Sequence, residues 1–286
     1  MRMRLLAPAV LLVVAACSSE QPARKQPAPA PSAPPPSAPA ADPWNAPANA
    51  AVGSAGDPAW AKDPPDVLRA KINGVNAHVV VLKYTADFAE YRDVLRVVEK
   101  VPGVVAAEPF IMAELEIEKP GKPPQHLTLK AVDPARVGRV LTVGRHMNAG
   151  TLDSLGKGDP PPIVIGDVLA RWLDVAIGDV VTVRPRKDSP DPMPAATPAR
   201  FRVGGTFHMD FDVYDEMLGV APLAAVQAML GRGDQVMGVE LVVNDLAASD
   251  EVAEAVDKAL GGPPYKVMDW YALNEQLFKA LGHARP

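Results

Sequence analysis

The side chains able to do chemistry are few and scattered. Five histidines occur, at positions 78, 126, 146, 208 and 283, and no two stand at the spacing of metal ligands on one helix or hairpin. The densest acidic cluster is HMDFDVYDEM, with Asp210, Asp212, Asp215 and Glu216. Carboxylates so grouped can hold Ca²⁺, but the EF-hand spacing with its central Gly and terminal Glu is missing, so the stretch reads as a solvated loop. His78, at the start of a strand-like run, reads as a core or edge residue. There is no G-x-S-x-G elbow, and LGKGDP at 155–160 lacks the Lys-Ser/Thr of a phosphate loop. The expectation is a protein with no catalytic residue, no metal and no cofactor.

One cysteine exists, Cys17, and its surroundings give it a role. Arg2 and Arg4 precede a short apolar run from Leu5 to Val14, the pattern of an export signal over residues 1–16. Val14-Ala15-Ala16-Cys17 resembles the bacterial lipobox, which implies lipidation of the Cys17 thiol and acylation of its amino group after cleavage. That places the chain in the cell envelope, lipid-anchored and facing the periplasm, and Ser18 after the cysteine favours the outer membrane over the inner. A single cysteine permits no internal disulfide, so the fold must rest on its core.

Residues 17–66 form a second texture, almost all Pro and Ala. Such a segment buries too little apolar surface to offset the entropy of ordering, and reads as a disordered tether. It spans roughly 40 Å as a coil and about 150 Å as polyproline II. Net charge is -5, and no basic run is long enough to follow a phosphate backbone, so nucleic acid is excluded as a partner.

From Gly74 onward the composition turns to Val, Leu and Ile. GVNAHVVVLKY predicts a strand. DFAEYRDVLRVVEKVPG predicts a helix carrying Phe88, Tyr91, Leu95 and Val98, and VVAAEPFIMAELEIEK predicts a long strand. A second strand-helix-strand unit follows in VMGVELVV, SDEVAEAVDKALGG (with Val252, Ala255, Val256, Ala259 and Leu260 on one face) and YKVM. A closing helix begins at Asp269, its N-cap. Between the units HLTLKAVDP, PPIVIGD, DVVTVRP and RFRVGGTF predict short strands, with helices at DVLARWLD and PLAAVQAMLG. The fold class is therefore α+β: a split α/β lobe from residues 67–118 and 237–282, with a β-rich lobe inserted at 119–236.

RPRKDSPDPMPAATPARF interrupts two of those strands with five prolines, Pro185, Pro190, Pro192, Pro194 and Pro198. Proline removes backbone donors and fixes φ, so this loop can neither extend a ladder nor coil into a helix. A long stiff surface loop is either passive or a recognition element.

The order of these segments is familiar. VPGVVAAEPFIMAEL, LKAVDPARV, PPIVIGDVLARWLDVAIGDVVTVRP, RFRVGGTFHMDFDVYDEML and VMDWYALNEQLFKAL together resemble the periplasmic domain of Lol-type lipoprotein-releasing ABC transporter permeases, within the wider MacB-like periplasmic core family, over residues 74–282. The resemblance implies a porter-like split lobe and a hook-like hairpin at 186–199. Pro192-Met193 and Pro198 match the hook's Pro-Met and later Pro, while Pro194-Ala195-Ala196 replaces its Gly-Arg. It also implies that Pro190, Pro192, Met193, Pro194 and Pro198 contact a partner, either a periplasmic lipoprotein chaperone or the periplasmic domains of a transporter. In the family the closing helix leads into the bilayer, and here the expectation is that Cys17 anchors the chain instead.

Overall fold

The computed structural model describes residues 77–84, 88–156, 158–186 and 196–275, together with the single positions 64, 67, 71, 75 and 279. Cys17, the rest of 17–66 apart from position 64, and Pro190, Pro192, Met193 and Pro194 lie outside the described residues. No helix among the described residues is long and apolar enough to cross a membrane.

Two strand-helix-strand units build one sheet. The first is β1 (Val79–Lys83), α1 (Tyr91–Val98) and β2 (Val104–Glu118), and the second is β9 (Gly238–Val243), α6 (Ser249–Leu260) and β10 (Tyr265–Asp269). Their strands lie in the order β10-β1-β9-β2, every neighbour antiparallel, which is the split βαβ arrangement of ferredoxin-like sheets. Tyr91, Val94, Leu95 and Val98 bury one stripe of α1 against this sheet. Phe88 is not on that helix: it bridges to Val236 ahead of the first turn. On α6 the buried stripe is Val252, Ala253 and Val256, while Ala255 and Ala259 face solvent. Gly261 closes this helix in the left-handed conformation at φ 81°, and the Gly262 amide reaches back to the Asp257 carbonyl.

β2 is long because it serves two structures. Over Val104–Phe110 it pairs with β9; over Phe110–Ile117 it pairs with β3 (Gln125–Val132), and over Leu115–Glu118 with β6 (Val180–Pro185). β3 continues to β8 (Leu218–Pro222), β8 to β5 (Pro162–Gly166), β5 to β7 (Ala199–Phe207), and β7 back to β6. The six strands β2-β3-β8-β5-β7-β6 therefore close into a ring, with β4 (Met147–Gly150) added outside β7. Closure leaves the ring strands few free edges.

Alternation decides what fills the ring. Leu115, Ile117, Leu127, Leu129, Ile163, Ile165, Val181, Val183, Phe201 and Val203 are buried together and share one apolar cluster with the α1 and α6 faces. A β-carbon on Gly219 would come within 2.9 Å of Leu127 Cδ1, so the bare α-carbon makes room for that packing. The opposite parity of β5 and β8 packs outside the ring against Phe211 and Tyr214, whose rings meet edge-on at 4.9 Å. Those residues flank and belong to α4 (Asp212–Met217), a helix where a solvated acidic loop is expected from the sequence. The reading fails because Phe211, Tyr214 and the buried Asp215 turn inward, leaving only the flanking carboxylates to water. α2 (Val137–Val140), α3 (Asp167–Leu173), α5 (Leu223–Leu230) and α7 (Trp270–Leu273) complete the fold. Asp269 caps α7 as expected, its carboxylate accepting from the Ala272 amide at 2.9 Å.

Candidate functional site

The proline-rich connection leaves the ring between β6 and β7, whose register runs from Val180 opposite Arg202 to Val183 opposite Ala199. Both arms are ring strands, so the base of the hairpin is fixed by ladders on either side. On the outgoing arm Arg184 and Arg186 share the outer face. Arg184 lies 2.9 Å from Glu116 and 3.3 Å from Glu118. Arg186 Nη1 lies 3.5 Å from His126 Nε2, His126 pairs with Glu114, and the Thr128 hydroxyl donates to Glu114 at 3.0 Å.

On the returning arm the Thr197 amide donates to the Met229 carbonyl of α5 at 2.9 Å, and Ala196 packs against the ring core. Pro198 is exposed. Of the five expected contact residues, Pro198 alone is among the described ones. The hairpin thus has a charged, hydrogen-bonded foot on one arm and an apolar, backbone-pinned foot on the other. These contacts fix where the connection leaves the ring and where it re-enters it.

A second cluster gathers residues far apart in sequence. Asp167 at the head of α3, His208 after β7 and the buried Asp215 of α4 bring their ligating atoms within 4.8 Å of one another. His208 Nδ1 lies 3.2 Å from Asp167 and 3.3 Å from Asp215, and Nε2 lies 3.0 Å from Asp210. The Asp167 hydrogen bond pushes the His208 imidazole above its ordinary value, with the neighbouring aspartates adding to it. Burial pushes the Asp215 carboxyl up, against the amides of Met209 and Phe211 that donate to it at 2.7 and 3.3 Å. As an imidazolium, His208 donates to Asp167 and Asp210 and sets its charge beside Asp215, which ties α3 to α4; as a neutral ring beside two carboxylates it has the ligand atoms of a divalent-cation site. Sequence spacing did not find this set, since Asp167 lies on a different element from His208 and Asp215. His78 is a ladder residue, its Nδ1 accepting from the Val243 amide at 3.1 Å, and burial lowers its pKa.

A cavity of about 480 Å³ lies along the side of β2 that β9 leaves free, next to Val104–Ala107. Arg136 donates to the Ala107 carbonyl at 3.0 Å and Arg139 to the Val105 carbonyl at 3.2 Å. Two guanidiniums thereby occupy acceptors that an added strand would use, a device that blunts a sheet edge.

The MacB-like periplasmic core domain family matches residues 48–259. The lipoprotein-releasing system transmembrane protein LolC of Xylella fastidiosa strain Temecula1 is 29% identical over 217 residues, covering 75% of this chain and 51% of its own length. LolC of strain 9a5c is similar to the same extent. The chain spans about half the length of these relatives. Among solved structures, the periplasmic region of MacB from Actinobacillus actinomycetemcomitans is similar at TM-score 0.45 and 11% identity, over 77% of this chain and 100% of that one. The extracellular domain of the ABC-type transporter YknZ from Gram-positive bacteria is similar at TM-score 0.44 and 12% identity, over 67% and 99%. The family match, which covers well over half of the chain from residue 48 to residue 259, carries the assignment: the chain belongs to the MacB-like periplasmic core domain family.

Proposed function

We propose that this chain is a non-enzymatic, lipid-anchored binding module of the cell envelope, facing the periplasm, that acts in lipoprotein trafficking by docking a lipoprotein chaperone or a lipoprotein through its β6–β7 hairpin. The observation that carries the reading is the anchored hairpin foot, with Arg186 over the Glu114–His126 pair on one arm and Thr197 bonded to Met229 on the other. The apolar residues Pro190, Pro192, Met193 and Pro194 in the sequence between the two arms suit a partner whose own cavity takes acyl chains, because the same hydrophobic burial drives both contacts. The lipoprotein-releasing role in the name of the relatives supports the trafficking context. Acyl chains on Cys17, at about 0.8 kcal/mol per buried methylene, would make a durable anchor, with the outer membrane favoured.

A second reading, favoured by the relatives' being transmembrane proteins of a releasing system, is assembly beside an intact MacB-like or Lol-like ABC transporter. Photo-cross-linking from position 193 in living cells separates the two. The first reading expects a soluble chaperone or a lipoprotein as the main adduct, and the second expects transporter subunits. Adducts with neither class would remove the hairpin as the docking element.

A further inference from the structure

Inside the sheet, where β2 passes from β9 to β3, three charged side chains are buried together. Glu108 on β2 stands directly across from Glu240 on β9, and Lys130 on β3 reaches into the same space. Lys130 Nζ donates to Glu240 Oε2 and to the Val75 carbonyl, each at 2.7 Å, and lies 5.6 Å from the centre of the Phe110 ring. One cation therefore faces two carboxyls in a region closed to water. Neither oxygen of Glu108, nor Glu240 Oε1, has a donor among the described residues.

Two ionised carboxylates side by side in this space, with a single ammonium bonded to only one of them, would leave an uncompensated buried negative charge. One added proton removes the excess and turns two facing acceptors into a donor and an acceptor. We propose that Glu108 and Glu240 hold one shared proton, forming a buried proton-binding site in which Glu108 is the neutral acid and donates to Glu240 Oε1. The charged groups facing Glu108 are Glu240 on β9, Lys130 on β3 and Asp133 just beyond β3. Burial, then the charge of Glu240, push the Glu108 carboxyl well above the ordinary range, and Lys130 offsets this only in part.

The site has a consequence for the whole fold. Between the ordinary glutamate range and the raised value of Glu108, the folded chain binds one more proton than the unfolded chain, so stability falls as pH rises through that window. Loss of the proton sets two negative charges on adjacent strands at the point where β2 leaves the four-stranded sheet for the ring. The site thus couples the pH of its compartment to the junction between those two parts.

The test is a pH titration of the full chain carrying ¹³C-labelled glutamate side-chain carboxyls, with Glu108→Gln and Glu240→Gln to assign the pair. The proposal expects one carboxyl of the pair to remain protonated at neutral pH, far above a free glutamate. A Glu108 signal that titrates in the ordinary range overturns it. Thermal melts across pH 5 to 9 give a second arm, in which the downward slope of the parent flattens in Glu108→Gln, whose amide keeps the donor. An unchanged slope counts against the shared proton. So does a melting temperature at pH 8 that drops when sodium is exchanged for choline, because a bound metal cation would then be the neutralising charge.

Discussion

The Thr197 amide donates to the Met229 carbonyl at 2.9 Å, which fastens the returning arm of the proline-rich hairpin to α5 rather than to its own partner strand. The bond matters because Thr197 precedes Pro198, which has no amide to offer, so the arm has one backbone donor at this point. Thr197→Pro deletes it. A loss of about 1 kcal/mol in urea unfolding is expected, together with weaker partner binding; unchanged stability and binding would show that this foot does not hold the hairpin.

Lys130 offers a sharper case. Lys130→Met leaves Glu240 buried without its cation, and the expected cost is about 3–5 kcal/mol. Lys130→Met with Glu240→Gln removes both charges and should recover most of that loss. Urea unfolding of the two variants decides the point, and equal destabilisation of both would mean that packing of the lysine stem, not its charge, is what matters.

His208 makes stability pH-dependent in a definite direction. Its pKa is raised in the folded chain, so its contribution is complete below the unfolded value near 6.5 and disappears as pH rises through the folded value. His208→Gln should therefore lower the melting temperature more at pH 5.5 than at pH 8.5. A larger effect at the alkaline end would contradict the imidazolium clamp on Asp167, Asp210 and Asp215.

The junction of β5 and α3 tolerates no side chain at Gly166. A β-carbon there would sit 2.3 Å from the Asp215 carbonyl oxygen, a backbone atom that cannot rotate away. Gly166→Ala should cost about 1–3 kcal/mol and loosen α4. Faster amide exchange at Met209 and Phe211, whose N–H groups the Asp215 carboxylate holds, would report it.

Periodicity made much of this legible. The long apolar run of β2 with its alternating end, the 3.6-residue stripe of α1 and the Gly-terminated α6 carry their structures in local pattern, and each lies where the sequence places it. β8 was hidden because Leu218–Pro222 is short, runs straight into α5, and owes its strand state to a parallel pairing with β3 from far along the chain. α4 was hidden because its carboxylates dominate its composition while two aromatic residues decide its packing. The Asp167–His208–Asp215 set was illegible for a related reason: the ring brings together elements that no spacing rule connects. The closed ring itself depends on β6 meeting both β2 and β7, a fact of register that a strand-by-strand reading does not contain.

Docking of a lipoprotein chaperone by the β6–β7 hairpin is the proposal on which the functional reading depends. Calorimetric titration of the full chain in detergent with the periplasmic lipoprotein chaperone of the same bacterium tests it most directly, comparing the parent with a variant lacking residues 188–197. Saturable binding by the parent is expected, with a loss of at least about 2 kcal/mol, roughly thirtyfold in affinity, in the deletion, and with the thermal unfolding of the remaining fold retained. No binding by the parent, or equal binding by both proteins, would contradict it.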